Sequence, residues 1–263
     1  MNSIHYTLYL IFILSLGSFS GSYCYRWPKQ QHLTWQKEAR LILGLPPKHI
    51  NCCCSSNFSQ CPSCQHRLSI WELIPIVSFV LHQRRCRHCH QPISVRYTII
   101  EVAHLITGAA LPFFIHEMFA LILYSLLISA LITASFVDIE HYLLPDECLL
   151  VAIICAFLTQ LHSDQLSDHV LGAIIGFLAI YCLRSLYYWV RKQTGIGLGD
   201  AKLMAVLGAW LGIFHLPDIL VCACILGILY TVISKRHEAK LIAFGPFLTF
   251  SSIFLFYVKI LWQ

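Results

Sequence analysis

Apolar residues run in long blocks along this chain, broken by short polar stretches. A first block covers Ile4–Tyr25. No Lys or Arg precedes it and no small-x-small cleavage site ends it, so it reads as a retained membrane helix and not as a signal peptide. Seven further blocks follow: Tyr97–Ile115, Met118–Val137, Cys148–Leu161, Val170–Val190, Leu203–Leu216, Ile219–Ser234 and Leu241–Val258. The pattern predicts an all-α polytopic membrane protein with about eight transmembrane helices. The shortest blocks fall below the ~20 residues that usually span the hydrocarbon core, so their helices must extend or the bilayer must thin. Between the first two blocks lies a polar stretch, residues 26–96. Within it a short amphipathic helix around Trp35–Leu43 is an option. The expected organisation is a first helix over 1–25, a loop over 26–96 and a membrane domain over 97–263.

Composition agrees with this class. Of 263 residues, 57% are hydrophobic and 12% charged, against about 25% charged in soluble domains. Charge then orients the chain. Ten of its 18 Lys and Arg lie between Arg26 and Arg96, with only Glu38 and Glu72 as acids there. Basic loops stay cytoplasmic, so the same excess does not argue for nucleic acid. Alternating eight spans from an outside N-terminus makes 26–96, 138–147, 191–202 and 235–240 cytoplasmic. The opposite loops then hold no Lys or Arg. Asp138 and Asp200 fall on the one cytoplasmic face.

The polar loop carries seven of the 13 cysteines. Cys61-x2-Cys64 and Cys86-x2-Cys89 stand 21 residues apart. In a reducing compartment such pairs bind metal more often than they form disulfides. Two such turns complete a tetrahedron of thiolates around Zn²⁺, and four protein ligands make that site structural and not hydrolytic. His66, His88 and His90 read as neighbours of the site. Cys52, Cys53 and Cys54 are consecutive and remain unassigned.

Asp138 ends an uncharged run of 20 residues, and Asp200 ends Gly197-Leu-Gly-Asp. A carboxylate at the edge of hydrocarbon is costly and points to function. Two carboxylates sharing a site cannot both ionise easily. One can then draw a proton from water while the other polarises a carbonyl. Gly197 and Gly199 would let backbone and substrate approach Asp200 closely, and Lys202 completes the supporting set. Glu140 and Asp146 compete for the first role. Asp146 follows Pro145, where it would simply cap the helix beginning near Cys148. A transporter would use such acids as ion sites, but these two sit at one face and not at the midplane. A zinc protease would need an open metal site, and His-Glu-x-x-His is missing from the sequence.

Several ordered motifs resemble the type IV prepilin peptidases, the A24-type leader peptidase/N-methyltransferases. They are Gly17-Ser-Phe19 with Arg26, Cys61-Pro-Ser-Cys64, Trp71-Glu-Leu-Ile-Pro75, Arg85-Cys-Arg-His-Cys89 and Ile93-Ser-Val-Arg-Tyr97 with Glu101. Asp138-Ile-Glu140, Leu144-Pro-Asp146, Gly197-Leu-Gly-Asp-Ala-Lys-Leu203 and Ala243-Phe-Gly-Pro-Phe247 complete the set. The resemblance implies Asp138 and Asp200 as catalytic aspartates. It implies cleavage after a glycine at the cytoplasmic face of prepilins or type II secretion pseudopilins, in a bacterial inner membrane. It further implies methylation of the new N-terminus from S-adenosylmethionine, with the zinc-bearing loop tied to that step. A peptidase lacking methyl transfer is the alternative. No glycine-rich fingerprint marks the donor's binding residues, and the sequence does not address oligomeric state.

Overall fold

The structure is a computed structural model that describes residues 3–46, 64, 66, 86–91, 94–161, 163–193, 195–234 and 242–262. Among these residues it is all-helical. The helices are α1 (Ser3–Ile42), α2 (Arg96–Ala109), α3 (Leu111–Phe114), α4 (Met118–His141), α5 (Asp146–Gln160), α6 (Leu166–Arg191), α7 (Leu198–Leu211), α8 (Leu216–Ile233) and α9 (Gly245–Leu261). A 3₁₀ turn, Ile213–His215, joins α7 to α8. Among the described residues, five stretches are long and apolar enough to cross a membrane: Ser3–Ile42, Arg96–Phe114, Met118–His141, Leu166–Arg191 and Ile213–Ile233. The helices α5 and α7 reach only 15 and 14 residues, about 22 Å of rise at 1.5 Å per residue.

The first helix does not stop at Tyr25. It continues as one piece through Pro28 to Ile42 and absorbs most of the expected Trp35–Leu43 helix. Residues 26–42 are rich in Gln, Lys and Arg, which favour helix without contributing hydropathy.

Two compact units divide the chain, Asn2–Ala109 and Ala110–Gln263. In the first, α1 packs along α2. Gly17, Gly21 and Gly108 permit this: a Cβ at Gly17 would stand 3.0 Å from the Glu101 Cα, and one at Gly108 would stand 2.9 Å from Ile13. Small residues allow such close approach where lipid offers no hydrophobic drive between helices. The Tyr9 hydroxyl donates to the Gly108 carbonyl at 3.1 Å.

In the second unit, α4 is the central helix and buries most of its length, including Leu127, Leu131, Ala134 and Val137. Helices α6 and α7 make the tightest pair: a Cβ at Gly172 would stand 2.5 Å from the Gly208 carbonyl oxygen, and one at Gly176 would stand 2.6 Å from that of Met204. Aromatic contacts tie α9 to α7 and α4, Phe256 lying 4.8 Å from Trp210 and 5.2 Å from Tyr124.

Candidate functional site

The helix α4 ends one turn beyond Asp138. Tyr142 takes the left-handed conformation at φ 57, and its N–H donates to the Asp138 carbonyl at 2.9 Å. A left-handed residue closes a helix by satisfying a terminal carbonyl. The chain then turns through Leu144 and the buried Pro145 into α5. Asp138 is thereby held in the last turn of the central helix with its side chain buried, 6% exposed.

Its partner comes from the start of α9. The Gly245 N–H donates to Asp138 Oδ2 at 3.1 Å. Pro246 follows inside the first turn, as suits a position whose N–H has no partner in the helix. A helix N-terminus favours a carboxylate through its free N–H groups and its dipole. Gly245 must be glycine at this distance, since a Cβ would lie 2.6 Å from that oxygen. The motif Ala243–Phe247 had no role by sequence reasoning; the signal was a glycine followed by proline opening an apolar block.

Asp200 sits in the first turn of α7, ahead of the apolar stretch 203–216, with Gly197 as the N-cap residue. It is half-buried. Burial pushes its carboxyl above the usual range, and a hydrogen bond from the Gly197 backbone works the other way. Leu144 joins the pieces. Its side chain lies where a Cβ on Gly199 would stand, 2.9 Å away, and also near Gly245, 3.5 Å from a Cβ there. Leu144 therefore lies against both the turn that carries Asp200 and the Gly245 that donates to Asp138. The structure thus gathers Asp138, Asp200, Gly197, Gly199 and Gly245 from the ends of three helices.

Asp146 does not cap α5. The helix begins at Asp146 itself, Pro145 is the N-cap residue, and there is no side-chain cap bond. Instead Asp146 Oδ1 accepts from Lys202 Nζ at 2.6 Å. Both ends of that pair are well exposed, 70% and 41%. Lys202 therefore braces α7 against α5 and lies beside the carboxylate pair without touching it. Glu140 is exposed and lies 3.8 Å from His141.

In the other unit, Cys64, Cys86 and Cys89 place their sulfurs within 4.8 Å of one another. Cys64 and Cys86 are 4.0 Å apart. Around a tetrahedral zinc the sulfurs stand about 3.8 Å apart, given Zn–S near 2.3 Å, so the three thiols fit such an ion. In this turn the His90 N–H donates to the Cys86 carbonyl, the Cys86 N–H donates to the Gln91 carbonyl, and His90 adopts φ 56. The rings of His66 and His88 lie face to tilted face at 3.5 Å. Cys61, the fourth expected ligand, lies outside the described residues, as do Cys52, Cys53 and Cys54.

Residues 125–232 match the type IV leader peptidase family, and residues 11–115 match the bacterial peptidase A24 N-terminal domain. A prepilin leader peptidase/N-methyltransferase of Burkholderia pseudomallei strain 1026b is 34% identical over 89% of this chain and 79% of its own length. Proteins of the same name from Pseudomonas putida and Aeromonas hydrophila are 33% and 30% identical, over 97% and 98% of this chain and 90% and 91% of theirs. No solved structure matches. Matches at this identity over nearly the whole length, with both halves assigned consistently, place the chain in the type IV leader peptidase family.

Proposed function

We propose that this chain cleaves the leader from type IV prepilins or pseudopilins by an aspartyl mechanism and then methylates the new amino terminus. What carries the peptidase half is that the helix ends bearing Asp138 and Asp200 meet around Leu144, with a backbone N–H on Asp138. One carboxylate takes a proton from water, and the water oxygen bonds to the scissile carbonyl carbon. The protonated carboxyl gives its hydrogen to the carbonyl oxygen. Collapse of that adduct breaks the C–N bond, and the leaving nitrogen picks up a proton. The Gly245 N–H fixes the Asp138 rotamer and stabilises its charge. Gly197 and Gly199 leave room for a substrate backbone, and Lys202 positions α7.

About eight spans are what the apolar blocks support, a cytoplasmic site is what the Lys/Arg asymmetry supports, and a bacterial inner-membrane location is what the family supports. The cysteine cluster, with Cys61 added, holds a structural zinc. S-adenosylmethionine supplies the methyl group. Methyl transfer is preferred over a bare peptidase because the relatives carry both activities in their name. The test is co-expression with a prepilin and mass spectrometry of the product N-terminus. Asp138→Asn and Asp200→Asn should each stop cleavage while the protein still inserts, and the double variant should be hardly worse. Normal processing by both single variants would remove the aspartyl mechanism.

A further inference from the structure

In the unit Ala110–Gln263, three buried polar atoms have no hydrogen-bond partner among the described residues: Trp210 Nε1, Thr249 Oγ1 and Ser251 Oγ. A helical threonine or serine ordinarily turns its hydroxyl onto a carbonyl three or four residues back. Thr133, Thr159 and Thr231 do so at 2.7, 2.8 and 2.7 Å, and Ser125, Ser135 and Ser252 do the same. Thr249, 3% exposed, does not. A buried hydroxyl without a partner is costly where lipid and packed side chains exclude bulk water.

Register says what Thr249 faces. By their spacing Gly245, Thr249, Ser252 and Phe256 share one face of α9, and Asp138, Ala134, Leu131, Leu127 and Tyr124 share one face of α4. Gly245 meets Asp138 at one end of this seam, and Phe256 meets Tyr124 at the other. Thr249 therefore falls opposite Ala134, which is fully buried and offers only a methyl group. Trp210 contacts Phe256, two turns further along α9, and Ser251 falls off the seam. Helical side chains lean toward the N-terminus, so Thr249 leans toward Gly245 and the Asp138 carboxylate. Its Cβ stands about 5–6 Å from where a Gly245 Cβ would be, and that point is 2.6 Å from Asp138 Oδ2. Among the described residues the Asp138 carboxylate accepts one hydrogen bond, from the Gly245 N–H, although a carboxylate can take about four.

We propose that Thr249 holds an ordered water against the Asp138 carboxylate. This rests on the peptidase half of the proposed function. The hydroxyl donates to the water oxygen, and the water donates to a carboxylate oxygen; two such bonds span about 5 Å. Water suits both groups, since it accepts from one and donates to the other, and it is small enough for a site this buried. No step consumes it. It adds a second donor to a charge that the Gly245 N–H alone otherwise steadies, and so fixes the rotamer from which Asp138 acts on the attacking water. Thr249 is a positioning residue that works through Asp138.

The experiment uses the full chain with a prepilin. Thr249→Val keeps the shape and removes the hydroxyl. It should lower kcat for leader cleavage about 10-fold at unchanged KM, the scale of one hydrogen bond, and Thr249→Ser should restore most of that loss. Ser252→Ala removes a hydroxyl on the same face that bonds within α9 and should cleave as wild type. Wild-type kcat in Thr249→Val, or an equal loss in Ser252→Ala, overturns the positioning role. A crystal structure of the wild-type chain in a lipidic mesophase, resolving ordered water, covers a variant that fails to fold. A water oxygen should lie about 2.8 Å from Thr249 Oγ1 and from an Asp138 carboxylate oxygen. A Thr249 hydroxyl bonded to the Gly245 carbonyl, with no water between it and Asp138, overturns the proposal. That density reads the water site whether or not Asp138 is catalytic, so its failure is distinct from failure of the aspartyl reading, which Asp138→Asn decides.

Discussion

Replacing Gly245 with alanine would put a methyl group 2.6 Å from Asp138 Oδ2 and 3.5 Å from Leu144 Cδ2. Ordinary contacts begin near 3.4 Å, so the carboxylate must retreat by about 0.8 Å or α9 must shift by as much. Either motion stretches the 3.1 Å bond from the Gly245 N–H. A hydrogen bond to a charged group contributes about 1.5–3 kcal/mol, which is about 10- to 150-fold in rate if it is lost only in the reacting state. Overpacking adds about 1–3 kcal/mol of destabilisation. Leader cleavage by purified protein, measured as kcat/KM beside an unfolding temperature, separates the two effects. Gly227→Ala is the control, since its Cβ would meet nothing closer than Phe247 at 3.9 Å; it should cleave as wild type. Wild-type cleavage by Gly245→Ala would show that Asp138 does not depend on this donor and would refute the placement of the pair.

The other expectations are smaller or categorical. Cys64→Ser, Cys86→Ser and Cys89→Ser should each lower zinc in the purified protein and reduce its abundance, while remaining inserted protein keeps its peptidase activity. Unchanged zinc in the triple variant would count against the site. Asp146→Asn and Lys202→Met should each cost at most about 1 kcal/mol, because the pair is exposed and screened. Their combined loss in thermal unfolding should equal either single loss, and high salt should shrink it. Reporter fusions at Ser56 and Thr194 should read cytoplasmic and one at Gln165 external; an external signal at Thr194 would separate the two aspartates.

Hydropathy alone was enough for the helical membrane class, because lipid leaves the backbone no partner but itself. It placed helix middles well and ends poorly. The stretch past Tyr25 stays helical to Ile42, where propensity and the periodicity around Trp35–Leu43 mark it but hydropathy does not. The aspartates were legible as costly charges at the edge of apolar blocks, and the cysteine pairs by their spacing. What the linear chain could not carry was which ends meet. Asp138, Asp200 and Gly245 stand at the boundaries of three helices, and only the packing of α4, α7 and α9 brings Gly245 onto Asp138. Asp146 shows the reverse case. Local rules read it as a cap, yet an ion pair with Lys202, 56 residues away, claims its carboxylate. A side chain near a helix start satisfies whichever donor the fold brings nearest, and that donor is set by tertiary contacts that no local pattern encodes.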